Sequence, residues 1–172
     1  MPVEILVGNI ASGKSTYARE RARQGALVVS MDALLTALHG GLYAYDKELK
    51  ETYRLVQSAL ITAAIRADRD VVVDDRNHTE IKRARLIAIA AKEGEPVAAT
   101  VFEREEPMVH SERRVRAGDR GVSGSQWFEV ADTTDREWQE PNATEGLDRI
   151  TYIRHREMGD VQWESEVKNV TT

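Results

Sequence analysis

The residues most able to do chemistry stand near the start, in GNIASGKST, where Gly8, Gly13, Lys14 and Ser15 follow the spacing G-x-x-x-x-G-K-[ST]. The glycines let consecutive backbone N–H groups turn inward around an anion. The helix that follows points its positive N-terminal end at the same place. A lysine there reaches the β- and γ-phosphates of a nucleoside triphosphate, and the next hydroxyl coordinates Mg²⁺. Gly8, Asn9, Ile10, Ala11, Ser12, Gly13, Lys14, Ser15 and Thr16 are therefore expected to bind ATP, with Ser15 on the metal and Thr16 near the α-phosphate.

Three further stretches could complete a site around that phosphate. Asp32 directly follows the apolar LVVS, a position from which a carboxylate can take a proton from an attacking hydroxyl. Aspartate is also a good helix start, so that role competes. VVVDDRNH places Asp74 and Asp75 at a strand end, where an acid can hold Mg²⁺ through water. Alternation puts Asp75 and Asn77 on one side and Asp74 and Arg76 on the other, and Asp75 is the expected metal-side acid. ERRVRAGDRG carries Arg113, Arg114, Arg116 and Arg120, whose planar forks suit phosphate oxygens. The competing reading is a solvated helix paired with Glu103, Glu105, Glu106 and Glu112. Beside a phosphate loop, a lid over about 107–121 with Arg120 on the phosphate is the expectation. Tyr43 and Tyr45, in the glycine-opened GGLYAYD, stand where an acceptor would enter, whereas Trp127, Trp138 and Trp163 read as packing residues.

Strands must hold these loops in place. Short β-branched runs at 3–7, 26–30, 70–75, 97–103 and 149–154 alternate with helical stretches at 14–24, 31–41, 46–67, 79–94, 107–118 and 125–141. In 46–67 the apolar spacing nominates Leu49, Tyr53, Val56, Leu60 and Ala63 or Ala64 as the buried face. Such alternation implies βαβ units: an α/β fold of five mainly parallel strands with helices on both faces and an arginine-bearing helical lid. Ligands in such sheets sit at the carboxyl ends of the strands, where all the residues above fall. One domain over 1–156 and a fraying polar tail over 157–172 are expected.

The 172 residues suit one core, and 41 % are apolar. A net charge of −5 argues against a protein that coats nucleic acid nonspecifically. There is no cysteine, which excludes thiolate chemistry and disulfides. The first apolar run is short and leads straight into the glycine loop, unlike a signal peptide. No run approaches the roughly 20 residues that span a bilayer, so no membrane partner and a cytoplasmic location are expected.

In their order, GNIASGKST, VVSMD, VVVDDRNHTEIKRARLIAIAAKEG and RVRAGDRG resemble the kinase domain of the polynucleotide 5′-kinase family of P-loop phosphotransferases, over roughly residues 3–154. The resemblance implies that Lys14 and Ser15 bind phosphate and Mg²⁺, that Asp32 activates the acceptor hydroxyl, and that Arg116 and Arg120 are lid arginines, Arg120 stabilising the transferred group. The third-strand motif of the family, an aspartate, commonly threonine, then asparagine, stands here as Asp75, Arg76 and Asn77. Two positions depart from the family. Leu35 replaces an arginine that grips the acceptor's phosphate, and SQ replaces the usual VP after the lid. Leu35, Tyr43, Tyr45 and Asn77 are the candidate acceptor contacts.

The reading is an ATP- and Mg²⁺-dependent kinase acting on a hydroxyl of DNA or RNA, most simply a 5′-OH end and weakly held. A hydroxymethyl group on a modified pyrimidine in DNA, a nucleoside or other small molecule, and a non-catalytic nucleotide switch are the alternatives.

Overall fold

The computed structural model describes residues 3–118, 122–154 and 164–169, the last stretch by its backbone. Its sheet has six strands in the order β2-β3-β1-β4-β5-β6. Strands β1 (Val3–Val7), β2 (Leu27–Val29), β3 (Val71–Val73), β4 (Val97–Phe102) and β5 (Arg149–Arg154) run parallel, as the alternation of patterns requires. β6 (Glu164–Asn169) lies antiparallel to β5. Residues 164–169 therefore depart from the expected fraying tail. ESEVKN carries a single apolar residue, so no alternation marks it as a strand, and its register rests on main-chain pairing.

Among the described residues, six α-helices cover the sheet: α1 (Lys14–Arg23), α2 (Met31–Leu38), α3 (Lys50–Arg66), α4 (Glu80–Lys92), α5 (Pro107–Arg116) and α6 (Gly124–Arg136). Side chains on β1 alternate between two cores. Val3, Ile5 and Val7 meet Ile61 and Ala64 of α3 and Leu86 and Ala90 of α4. Leu6 faces the other way, with Val72, Phe102 and Ile153, against Ala18 and Tyr17 of α1. Glu4 points to that second face and is buried, yet satisfied. The Tyr17 hydroxyl (2.7 Å) and the Thr100 hydroxyl (2.5 Å) donate to it, and Arg21 lies 3.1 Å away.

The buried stripe of α3 is Tyr53, Gln57, Ile61 and Ala64, not the purely apolar set expected. Leu60 is half-exposed, and a short 3-10 turn (Lys47–Leu49) precedes the helix with Leu49 in solvent. A glutamine thus occupies a core position that the apolar count had passed over, and its partners explain why.

Candidate active site

Parallel strands bring the turns after β1, β2 and β3 to one edge of the sheet. The turn after β1 is tightly built. Ala11 (φ 48°) and Gly13 (φ 93°) adopt left-handed backbone, which Gly13 does without steric cost. Gly8 is glycine for another reason: a Cβ there would lie 2.7 Å from Ser12 Oγ and 3.0 Å from Phe102 Cβ. The Gly8 N–H donates to the Arg76 carbonyl (3.0 Å), and the Asn77 side chain donates to the Leu6 carbonyl (2.9 Å), so the β3–α4 connection is sewn to the loop. The Asn9 side chain donates to the Ala131 carbonyl of α6 (2.9 Å) and accepts from the Ile10 N–H (2.8 Å).

Lys14 is buried against this loop. Its ammonium donates to the carbonyls of Gly8 (2.9 Å) and Asn9 and to Ser12 Oγ (3.2 Å). Burial lowers its pKa to about 8, partly offset by the carboxylates of Asp74 and Asp75. Ser15, the next residue and exposed, stands close enough to Asp74 for its hydroxyl to favour the ionised carboxylate. Burial raises the Asp74 pKa, and the Ser15 contact and the Lys14 charge oppose that shift. Asp32, in the first turn of α2, lies near enough for its charge to act on both Asp74 and Asp75. Ser30, not Asp32, is the N-cap of that helix, so the capping role does not claim Asp32.

The two adjacent acids divide their work opposite to expectation. Asp75 accepts the Met31 N–H (2.9 Å) on one oxygen and the Gln57 amide (2.6 Å) on the other, so both face the frame. Asp74 is the acid beside Ser15. Alternation misassigns them because the strand ends at Val73 and the chain turns through Asn77 at φ 44°. A hydroxyl with one neighbouring carboxylate suits Mg²⁺ completed by phosphate oxygens and water. Among the described residues, no cluster of three or more acids or histidines could cage a metal alone.

Of the candidate acceptor contacts, Leu35 is 2 % exposed and belongs to the core of α2. Asn77 is buried and spends its side chain on Leu6, while its carbonyl accepts from Arg83 (3.0 Å). Arg83 in turn forks onto Glu145 through two 2.7 Å bonds, a fully buried pair. Tyr43 and Tyr45 are exposed, and the Tyr45 ring leans on Tyr53 (centroids 5.9 Å).

The arginine helix also sorts itself. Arg113 forks onto Glu105, and Arg116, exposed, meets Glu112 of its own helix (3.2 Å). Arg114 packs over the Trp127 ring of α6 (4.8 Å to the centroid) and is close enough for its charge to depress Lys14. Among the arginines of α5, Arg114 is therefore the one whose charge reaches Lys14, a choice helical spacing cannot make without knowing where α6 packs. Arg120 and Trp163 lie outside the described residues. His110, buried beneath Ile10 and near Lys14, is also new. Burial holds its pKa down, and its Nε2 accepts the Glu105 N–H (3.3 Å), so the neutral ring backs the loop.

A family model described as AAA domain matches residues 3–140. No curated protein matches the sequence significantly. Among solved structures, a chain of the Pnkp1/Rnl/Hen1 RNA repair complex is similar at 19 % identity and a TM-score of 0.64, over 79 % of this chain and 44 % of that one. A second structure of a Pnkp1/Rnl/Hen1 complex is similar at 20 % identity and a TM-score of 0.56, over 71 % and 40 %. This chain thus spans under half of those relatives' length. The Mycobacterium tuberculosis APS kinase CysC, in complex with AMPPNP and APS, is similar at 16 % identity and a TM-score of 0.59, over 93 % and 91 %. The chain thus shares the α/β fold of these P-loop proteins. No described helix is long and apolar enough to cross a membrane.

Proposed function

The chain belongs to the AAA domain family, and from that premise we propose that it is an ATP-dependent kinase that phosphorylates a hydroxyl of a nucleic acid, most simply the 5′-OH end. One observation carries the reading: Lys14, the Ser15–Asp74 pair and Asp32 converge at one edge of the sheet. A nucleotide-binding switch needs the first two; an acid at the start of α2 is what a transferase adds.

In this reading the loop and Lys14 hold the triphosphate, Arg114 supplies positive charge beside it, and Arg116 and Arg120 are the lid arginines that the resemblance implies. Ser15 would hold Mg²⁺, with Asp74 orienting it, and the ion would supply charge neutralisation on the phosphates. Asp75, first nominated for the metal, holds the frame instead. The acceptor oxygen attacks the γ-phosphorus in line. Its new P–O bond forms as the bond to the β-bridging oxygen breaks, and Asp32 receives the hydroxyl proton. Positioning and charge neutralisation do most of the catalysis.

On the acceptor side, residues 31–46 contain no lysine or arginine and end in exposed Tyr43 and Tyr45. That composition supports an acceptor held by its rings and weakly by its phosphates.

The test offers γ-labelled ATP with 5′-OH DNA, 5′-OH RNA, 5′-phosphorylated DNA bearing hydroxymethylated pyrimidines, and free nucleosides. Label on a 5′-OH end is the expected result. Label on the hydroxymethyl base or the nucleoside alone replaces the acceptor. ATP binding without transfer to any acceptor overturns the kinase reading.

A further inference from the structure

Gln57 and Arg85 play no part in the mechanism above, yet they are elaborately placed. Gln57 has 0 % exposure, on a helix stripe otherwise filled by Tyr53, Ile61 and Ala64. Its amide nitrogen donates to Asp75 Oδ2 (2.6 Å), and its amide oxygen accepts from Arg85 of α4. Arginine only donates and an ionised carboxylate only accepts, so the amide has one orientation. Arg85 is steadied by a second bond, to Ser58 Oγ (3.2 Å).

The other end of this chain of bonds meets α2. Asp75 Oδ1 accepts the N–H of Met31, the first residue of that helix. Ser30, the N-cap by position, makes no side-chain bond to the helix. The cap of α2 therefore comes from a carboxylate 44 residues away in sequence. A negative group at that end also suits the helix dipole. Asp32 is the very next residue.

We infer that Arg85, Gln57 and Asp75 form a positioning relay that sets Asp32 over the phosphate loop. The inference rests on the reading of Asp32 as the base. Three acids, Asp32, Asp74 and Asp75, crowd this corner: the charge of Asp32 burdens both Asp74 and Asp75, and that of Asp74 burdens Asp75. Arg85 stands behind them, and the Asp75 charge favours its cation. The relay keeps Asp75 turned away from the phosphates and locks α2, since a buried polar network is stable only when every member is satisfied. A shift of about 1 Å in a catalytic group can cost on the order of a hundredfold in rate.

Gln57→Glu keeps the size and the Arg85 contact but sets a carboxylate against Asp75. The expected result is a kcat lowered by tenfold or more, roughly the cost of misplacing a base, with ATP affinity unchanged and faster amide hydrogen exchange at Met31. Arg85→Gln, on a half-exposed side chain, should act in the same direction but less, and carries the comparison should Gln57→Glu fail to fold. In an Asp32→Asn background, Gln57→Glu should remove no further turnover, whereas a merely structural role would add its own loss. Native Met31 protection with full kcat in either folded variant overturns the relay, as does a fully additive loss. Full activity in Asp32→Asn alone instead removes Asp32 as base, and Met31 exchange then still decides whether the relay holds α2.

Discussion

The two regions that the proposed reaction assigns to donor and acceptor are built by opposite rules. From Gly8 to Lys14 nearly every polar side chain has a partner and most residues are at least partly buried. Residues 40–52, which follow the helix bearing Asp32, are all exposed. Leu42 at 74 % and Tyr45 at 51 % show how far apolar groups reach into solvent there. A triphosphate is the same for every user, so its cradle can be rigid and complete. In the proposed reaction the acceptor differs from one kinase to another, and the exposed segment is the side left for it to cover.

Breaking the cradle should have the largest effect. Lys14→Ala is expected to lower transfer by about a thousandfold or more, because a preorganised charge is lost where charge develops; γ-label transfer measures it. Next comes the division of labour between adjacent acids. Asp74→Asn should cut turnover on the order of a hundredfold and raise the Mg²⁺ concentration needed for half-activity, from the loss of one charge at the metal. Asp75→Asn should leave that Mg²⁺ requirement where it was. Equal shifts in a Mg²⁺ titration would erase the distinction drawn here.

A smaller loss is expected on the open side. Tyr45→Ala should raise the acceptor KM about fivefold, the worth of roughly 1 kcal/mol of ring stacking, and leave the ATP KM alone. Acceptor binding should also depend only shallowly on salt, since few phosphates meet a cation there. A steep salt slope would show that the strand is gripped by charge after all.

The subtlest test reads a proton. Lys14 alone in the loop has a pKa of about 8, below its ordinary 10.5, because of burial. Phosphate restores the charged form. At pH 9, ATP binding should therefore take up as much as about one proton, seen as buffer-dependent heats in calorimetry, and affinity should fall as pH rises through 8. The same shift costs the unliganded protein stability below pH 8, and that cost disappears between pH 8 and 10.5.

The cradle was legible in the chain because its motif is local: two glycines, a lysine and a hydroxyl act within one turn. The five parallel strands were legible for the same reason, each a short β-branched run. What stayed hidden depends on partners far away in sequence. Leu35 gives no sign of facing the core until α2 is docked. Asp74 and Asp75 differ only in where the strand stops. Arg114 is singled out from Arg113 and Arg116 by Trp127 on another helix. Gln57 carries no local mark of burial; its neighbours make it the centre of a network.

The strand order carries a consequence for how the molecule is made. β1 pairs with β3 and β4 and never with β2, and β2 pairs only with β3. A chain emerging N-terminus first therefore has no strand partner to offer until residue 71 is out. The phosphate loop, written in the first sixteen residues, has its Gly8 N–H tied to Arg76 and Asn9 to Ala131. It is synthesised well ahead of the partners that complete it. During synthesis at roughly 5–20 residues per second, the β-branched VEILV run waits for several seconds without the strands that will enclose it.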